Sequence, residues 1–465
     1  MLTYFPKYFS NRAIVCYLIT LASVSVLFMR NALPFQFMMF GLVAVFVFFN
    51  FSSRLTIDWR RYSVRTFTKK LFETALVIRM VYVIFIYFYY IEMTGQPHMF
   101  QAGDELYYKS LATLWRQSGF DEQLRVLKMY GVDFSDSGYF WFLAFEYMLF
   151  GIHDLPARLI KCLLSAYSCV LMYKIAQRNF GEEAARMTGI FCMLMPNMWF
   201  YCGVTLKETE MAFLIILFAE RADSVLHSRT IKVVNLLLPA SCILIMFTFR
   251  TALAAVMFAS MAAALIFTSS RQLNLGLKIV YVSIFSVWMM VTVGVEMLQE
   301  TQQLWSNRSS NQEVGYEARR DENSFAKYAS ATVLAPLIFT IPFSSLVATP
   351  GQENQMMLNG SNFIKNVTSG LTIFALFVLL LSGDWRKHVL TISLTCGYLV
   401  VLVFSNFAHS ERFHFPVLAF ELMFAAYGVT QLKNKHKRWF MMWLGFVCVA
   451  NIAWAWVKLR GRGII

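Results

Sequence analysis

Residues 138–152 read GYFWFLAFEYMLFGI, and whether they cross a membrane decides the topology of the whole chain. The run is apolar, but it is short and carries Glu146. Crossing ~30 Å of hydrocarbon takes about 20 mostly apolar helical residues. On that criterion thirteen other runs qualify, near 13–29, 33–51, 71–93, 157–177, 187–203, 211–226, 233–249, 251–269, 279–297, 367–382, 389–406, 414–430 and 439–457. Charge decides the remaining one. With the N-terminus cytoplasmic and 138–152 not crossing, the cytoplasmic segments hold 22 Lys and Arg in 77 residues, as positive-inside topology requires. A crossing there would move 14 of those charges outside. The run is therefore read as an interfacial helix. Only the C-terminal KLRGRGII, external with three positive charges, runs against the rule.

Composition agrees. Of 465 residues, 58% are apolar and 15% charged, with a mean hydropathy of +0.53. A soluble protein needs roughly a quarter of its residues charged, so a cytosolic enzyme, a secreted disulfide scaffold and a disordered chain are excluded. The net charge of +14 is explained by topology and does not indicate nucleic acid. The eight cysteines lie in or beside apolar runs without CxxC spacing and read as small buried hydrophobes. The first run has no small-residue cleavage site after it and reads as a span, not a removed leader.

The expected fold is an all-α polytopic membrane protein with about thirteen transmembrane helices. It divides into a two-helix N-terminal addition (1–51), a transmembrane core (52–297) with external loop 94–156, an external loop (298–366) and C-terminal spans (367–465). The first loop holds GDELYY, helical stretches at 104–118 and 121–129, and the interfacial run. In the second, ATVLAPLIFTIPFSSLV (331–347) is broken by Pro336 and Pro342 and is expected to be re-entrant or interfacial. No internal repeat is visible, which weakens a transporter reading.

Polar residues at the mouths of spans are costly, and four groups of them stand out. Asp104-Glu105 follow the third span; adjacent carboxylates can divide the roles of base and helper, or simply favour a helix N-terminus. Lys207-Glu208-Thr209-Glu210 follow MPNMWFYCGV. Lys207 can meet a phosphate and the two acids a cation or hydroxyl, or the stretch is a solvated turn. Arg250 stands between FTF and TALAAV in a tight turn and needs an anion, from substrate or lipid headgroups. His409-Ser-Glu411-Arg412-Phe-His414-Phe-Pro416 offers Arg412, whose forked guanidinium suits phosphate, and His and Glu side chains without diagnostic metal spacing. Arg79 and Glu220 are expected to snorkel toward the cytoplasm, Lys161 to snorkel outward, and Arg158 to sit near an interface. P-loop, HExxH, GxSxG and dinucleotide motifs are absent, so no soluble cofactor is indicated.

The order of these features resembles the GT-C superfamily of integral-membrane glycosyltransferases. The resemblance rests on Asp104-Glu105 with Tyr107, then GYFWFLAFEYMLFG, then LPARLIKCLLSAYSCVLMYKIAQRNFGEEAARMTGIFCMLMPNMWFYCGVTLKETE, and finally SERFHFPVLAFELMFAAYGV. It covers about 95–260 and 405–430. Glu208-Thr209-Glu210 stands where oligosaccharyltransferases have D-x-E, with Glu in place of Asp. The first two spans precede the helix that normally opens that fold, and loop 298–366 is short for an acceptor domain.

The resemblance implies sugar transfer from a polyprenyl-phosphate-linked donor to a hydroxyl of a glycan, lipid or protein acceptor, with inversion, outside a bacterial cytoplasmic membrane. Asp104, with Glu105, would be the base. Arg412, with Arg250 or Lys207, would hold the leaving phosphate. Glu208, Glu210 and His409 would orient the acceptor or hold a divalent cation. One rival is an O-antigen or polysaccharide polymerase or ligase using Arg308, Arg319 and Arg320 in the long late loop, which needs no acid in the first loop. A lipid-linked glycan flippase is the other, and it would want more charge at mid-membrane.

Overall fold

A computed structural model of the chain describes residues 2–117, 134–228, 233–267, 335–404, 408–433 and 436–464, with Ser283 and Val287. No strand occurs among the described residues; one isolated bridge joins Ala32 to Val347. The helices are α1 (Lys7–Leu27), α2 (Phe35–Asp58), α3 (Val64–Thr94), α4 (Gly103–Gln117), α5 (Phe134–Phe150), α6 (Asp154–Leu194), α7 (Pro196–Phe200), α8 (Glu208–Leu226), α9 (Val233–Phe249), α10 (Thr251–Phe267), α11 (Glu353–Met357), α12 (Asn359–Ser382), α13 (Val389–Phe404), α14 (Glu411–Gln431) and α15 (Lys437–Arg460). Eight helical segments among the described residues are long and apolar enough to cross a bilayer, and α10 and most of α9 form shorter apolar helices. The chain is an all-helical multi-pass membrane protein.

Those eight do not establish thirteen crossings. The run at 279–297 and the stretch 121–129 lie outside the described residues. Helix α8 carries Glu208, Glu210, Glu220, Arg221 and Asp223 and falls outside the eight. Helix α6 covers two expected runs, because it reverses at Gly181 (φ 83°, ψ 174°), a conformation essentially restricted to glycine. A Cβ on Gly189 would lie 3.6 Å from that of Tyr173, so the arms 154–180 and 182–194 run side by side. The Tyr173 hydroxyl donates to Glu182 across the turn at 2.8 Å.

Three charges expected to snorkel or sit at an interface are instead buried in protein. Arg79 donates to Ser165 Oγ at 2.7 Å and to the Cys192 carbonyl at 3.3 Å, stitching α3 to both arms of α6. Lys161 donates to the Val204 carbonyl at 3.0 Å and the Tyr139 hydroxyl at 3.2 Å. Arg158 donates to the Pro97 carbonyl and, at 3.4 Å, to Thr205 Oγ1. Internal carbonyls and hydroxyls engage all three heads, although only Nη2 of the Arg158 guanidinium finds hydrogen-bond partners among the described residues. Glu220 pairs with Arg178 at 2.9 Å.

The 17-residue α5 is absent from the eight candidate crossings. It buries Tyr139, Phe140, Leu143 and Tyr147 and exposes Phe145, Leu149 and Phe150. After a short 3-10 turn at Ala335–Leu337, residues 338–349 form an irregular, mostly buried segment. Its backbone is satisfied from the helices: Lys365 donates to the Ile341 carbonyl at 2.7 Å, Asn366 to that of Pro342 at 2.9 Å, and Asn451 accepts from the Ser344 N–H at 2.7 Å. Such backbone is tolerated among membrane helices only when protein encloses it. Helices α2 and α12 cross so closely that a Cβ on Gly360 would come within 2.5 Å of the Gly41 carbonyl oxygen. Tyr17 of α1 donates to Asn359 of α12, so the N-terminal pair is keyed into the C-terminal helices.

Candidate active site

The N-terminal ends of α4, α8 and α14 meet the α9–α10 turn at one place. Asp104 and Glu105 occupy the first turn of α4, where carboxylates complement the helix dipole. Successive residues point to different sides of a helix, and their fates diverge. Asp104 is 57% exposed and ion-pairs with Arg412, the second residue of α14. The same guanidinium pairs with Glu208, the first residue of α8, whose side chain is fully buried. One arginine thus bridges an exposed and a buried carboxylate, a use of its forked donors that a lysine cannot reproduce.

Two more cations stand beside this bridge. Lys207 ion-pairs with Asp136 and donates to the Phe249 carbonyl at 2.7 Å. Burial, with Arg250 nearby, pulls the Lys207 ammonium below its ordinary pKa despite Asp136. Arg250, the single residue between α9 and α10, donates to the Tyr398 hydroxyl at 3.3 Å. Its guanidinium lies 4.5 Å from the centre of the Phe413 ring, next in sequence to Arg412.

Of the residues singled out in the sequence, Asp104, Glu208, Arg412, Lys207 and Arg250 come together, whereas Glu105, Glu210 and His409 do not. The fully buried Glu105 carboxylate accepts the Met99 N–H at 2.9 Å and the Thr205 N–H, with His98 at 3.5 Å and Arg158 at 3.8 Å. Burial alone would raise its pKa; His98, Arg158 and the two N–H donors outweigh burial and hold it below the usual value. Glu105 therefore joins the loop carrying Asp104 to the loop carrying Glu208. Glu210 turns inward to Lys161 at 3.4 Å. His409 stacks on Trp454, with ring centres 5.9 Å apart.

Three further ionisable residues, of which only Asp136 touches the site through Lys207, were missed in the sequence. Asp136 gave no signal beyond its place in the first turn of α5. Glu146, noted only as an oddity in an apolar run, is buried, and neither carboxyl oxygen has a hydrogen-bond partner among the described residues. Burial, reinforced by Glu210, pushes it up to about 8. Lys365 is enclosed by the Ile341 carbonyl, His414 Nδ1 at 2.7 Å and Glu421 at 3.8 Å. Among the described residues no three His, Cys, Asp or Glu side chains gather as metal ligands. Arg308, Arg319 and Arg320, on which the polymerase reading rests, lie outside the described residues.

Residues 357–460 match the Alg9-like mannosyltransferase family. That family is of GT-C type, and the matched segment runs from the end of α11 to the end of α15, including Lys365, Arg412 and Pro416. It is under a quarter of the chain and excludes Asp104 and Glu208. No curated protein matches the chain. Among solved structures, the chain is similar to ArnT from Cupriavidus metallidurans bound to undecaprenyl phosphate. Identity is 13% and the TM-score 0.47, over 80% of this chain and 63% of that one. It is also similar to the archaeal oligosaccharyltransferase AglB from Archaeoglobus fulgidus, in complex with an inhibitory peptide and a dolichol-phosphate. There identity is 10% and the TM-score 0.40, over 85% of this chain and 56% of that one. The chain spans less than two thirds of the length of either.

Proposed function

We propose that this protein is a membrane glycosyltransferase that moves a hexose from a polyprenyl-phosphate-linked donor to an acceptor hydroxyl, with inversion, on the face away from the cytoplasm. The observation that carries the reading is the Arg412 bridge between Asp104 and Glu208, with Lys207 and Arg250 beside it. An exposed carboxylate next to three cations at helix ends is what such a transfer needs. Asp104 takes the proton of the acceptor hydroxyl. The acceptor oxygen attacks the anomeric carbon from the face opposite the phosphate, the carbon–oxygen bond to phosphate breaks, and the polyprenyl phosphate leaves with the electron pair. Arg412, Arg250 and Lys207 neutralise that charge in a partly desolvated cleft, where it counts for more than in water.

The bridge adds an ordering step. In the structure Arg412 is engaged by Asp104, and a donor phosphate competes for the same guanidinium. Donor binding would then release the Asp104 carboxylate for the acceptor. Glu208, buried behind Arg412, keeps the guanidinium aimed while its partner changes. The match to the Alg9-like family supports a hexose, with mannose the first sugar to try. Positive-inside charge supports the external face.

The test is to supply purified protein with a panel of polyprenyl-phosphate hexoses, mannose first, together with candidate glycan, lipid and protein acceptors, and to assay free polyprenyl phosphate with and without a chelator. Release with at least one donor is expected. No release from any donor, together with no saturable donor binding, sinks the proposal.

A further inference from the structure

Two residues after Arg412, α14 turns His414 into a buried polar cluster that the proposed reaction does not use. Lys365 of α12 reaches the Ile341 carbonyl at 2.7 Å and His414 Nδ1 at 2.7 Å, with Glu421 at 3.8 Å. His414 and Glu421 lie seven residues apart, on one face of α14, and all three side chains are buried. The other ring nitrogen of His414, Nε2, lies 2.8 Å from the Ala408 carbonyl oxygen. These contacts leave the ring one arrangement of protons. A carbonyl oxygen only accepts, so Nε2 carries the hydrogen that Ala408 receives. An ammonium only donates, so Nδ1 offers its lone pair to Lys365. With the proton on Nδ1 instead, Nε2 would turn a lone pair on the carbonyl and Lys365 would face an N–H. Lys365 thereby selects the tautomer, and the tautomer makes the bond to Ala408.

We propose that His414 is a positioning residue for Arg412. Held in its Nε2–H tautomer by Lys365, it closes the turn from Ala408 to His414 and so sets the guanidinium between Asp104 and Glu208. The bond to Ala408 reaches back six residues and ties the segment entering α14 to the first turn of the helix. Arg412 lies inside the span so closed, where the Phe413 N–H also donates to the Ser410 carbonyl at 3.1 Å. Its part in sugar transfer rests on Arg412 holding the leaving phosphate, as proposed above. Space alone would be filled as well by apolar side chains, because burying an ammonium and a carboxylate costs more than packing requires. What the polar groups add is direction. Glu421 offsets the charge of Lys365, Lys365 selects the tautomer, and His414 passes that choice to the turn that carries Arg412.

The test reads tautomer and turn without turnover. The full chain, carrying isotope-labelled histidine and arginine, is studied in phosphatidylcholine bilayers by solid-state NMR, with His414→Gln and Arg412→Lys assigning the two signals. Wild-type His414 should show a protonated Nε2 and a bare Nδ1, and Lys365→Met should replace that single state with more than one. His414→Gln can make both bonds, donating from its amide nitrogen to Ala408 and accepting from Lys365 at its oxygen. His414→Phe fills the space and makes neither. The Arg412 Nε–H, which donates to Glu208, should keep its signal in His414→Gln and shift or broaden in His414→Phe. At saturating donor, polyprenyl phosphate release should fall about 10–100-fold in His414→Phe and largely return in His414→Gln. A wild-type proton on Nδ1, or an Arg412 signal unmoved in His414→Phe, overturns the proposal. Should His414→Phe fail to fold, a His414 spectrum unchanged in Lys365→Met overturns it alone. If the spectra come out as expected while no donor is turned over, the transfer reading fails and the placement of Arg412 by His414 stands.

Discussion

Glu105 and Thr205, a hundred residues apart, are joined by a hydrogen bond from the Thr205 N–H to the Glu105 carboxylate. The same carboxylate accepts the Met99 N–H, so one buried side chain fixes the Asp104 loop against the Glu208 loop. Asp104 and Glu105 thus differ in kind. Glu105→Ala leaves Arg158 buried without its carboxylate and should cost about 3–5 kcal/mol of stability. Asp104→Asn, at an exposed position, should leave the melting temperature within a few degrees. Thermal melts of the two variants side by side check this, and equal destabilisation would contradict it.

Arg412→Lys keeps the charge and loses the fork. A point ammonium cannot hold Asp104 and Glu208 at once, so turnover should fall about 10²–10³-fold. Donor binding should fall less, since charge remains. Steady-state kinetics separate the two. Wild-type turnover in Arg412→Lys would show that bridging is unimportant.

Glu146 gives a pH dependence with a defined sign. Its folded pKa, about 8, lies above the usual 4.5, so the folded state holds the proton more tightly. Its contribution to stability is complete below about pH 4.5 and is lost as pH rises through about 8. The melting temperature should fall over that window, and Glu146→Gln should flatten the fall and exceed wild type at pH 9. Parallel slopes in the two proteins would place the titration elsewhere.

Gly181 permits the reversal of α6 at φ 83° and ψ 174°. Nothing lies within 4 Å of a Cβ added there, so only backbone conformation resists substitution. Gly181→Ala should cost about 1–3 kcal/mol, read as a lower melting temperature with the same helical content by circular dichroism. An unchanged melting temperature would mean that the turn relaxes into another conformation.

Apolar runs made most of the helices legible, because a span must be apolar over its length whatever it packs against. The reversal at Phe180-Gly181 was legible for the same reason, with a charged break between two apolar runs. Burial of charge was not. Arg79, Lys161 and Arg158 looked like snorkelling or interfacial residues because the carbonyls they bond come from segments up to 113 positions away. Lys365 was overlooked because α12 begins at Asn359, in the polar stretch NGSNFIKNVTSG, well before the expected span at 367. The sequence singled out both Asp104 and Glu105, but adjacency cannot say which faces the cleft. Glu208 and Glu210 pose the same problem two residues apart, and there the helix carries one to Arg412 and the other to Lys161.

In the proposed reaction, sugar transfer runs through the Asp104 carboxylate. The most direct measurement is polyprenyl phosphate release by wild type and Asp104→Asn under identical donor and acceptor, with donor affinity measured in both. Release should fall about 10²–10⁴-fold in the variant while donor affinity is kept or strengthened, since Arg412 no longer answers to a charged Asp104. Equal release by the two proteins would contradict it.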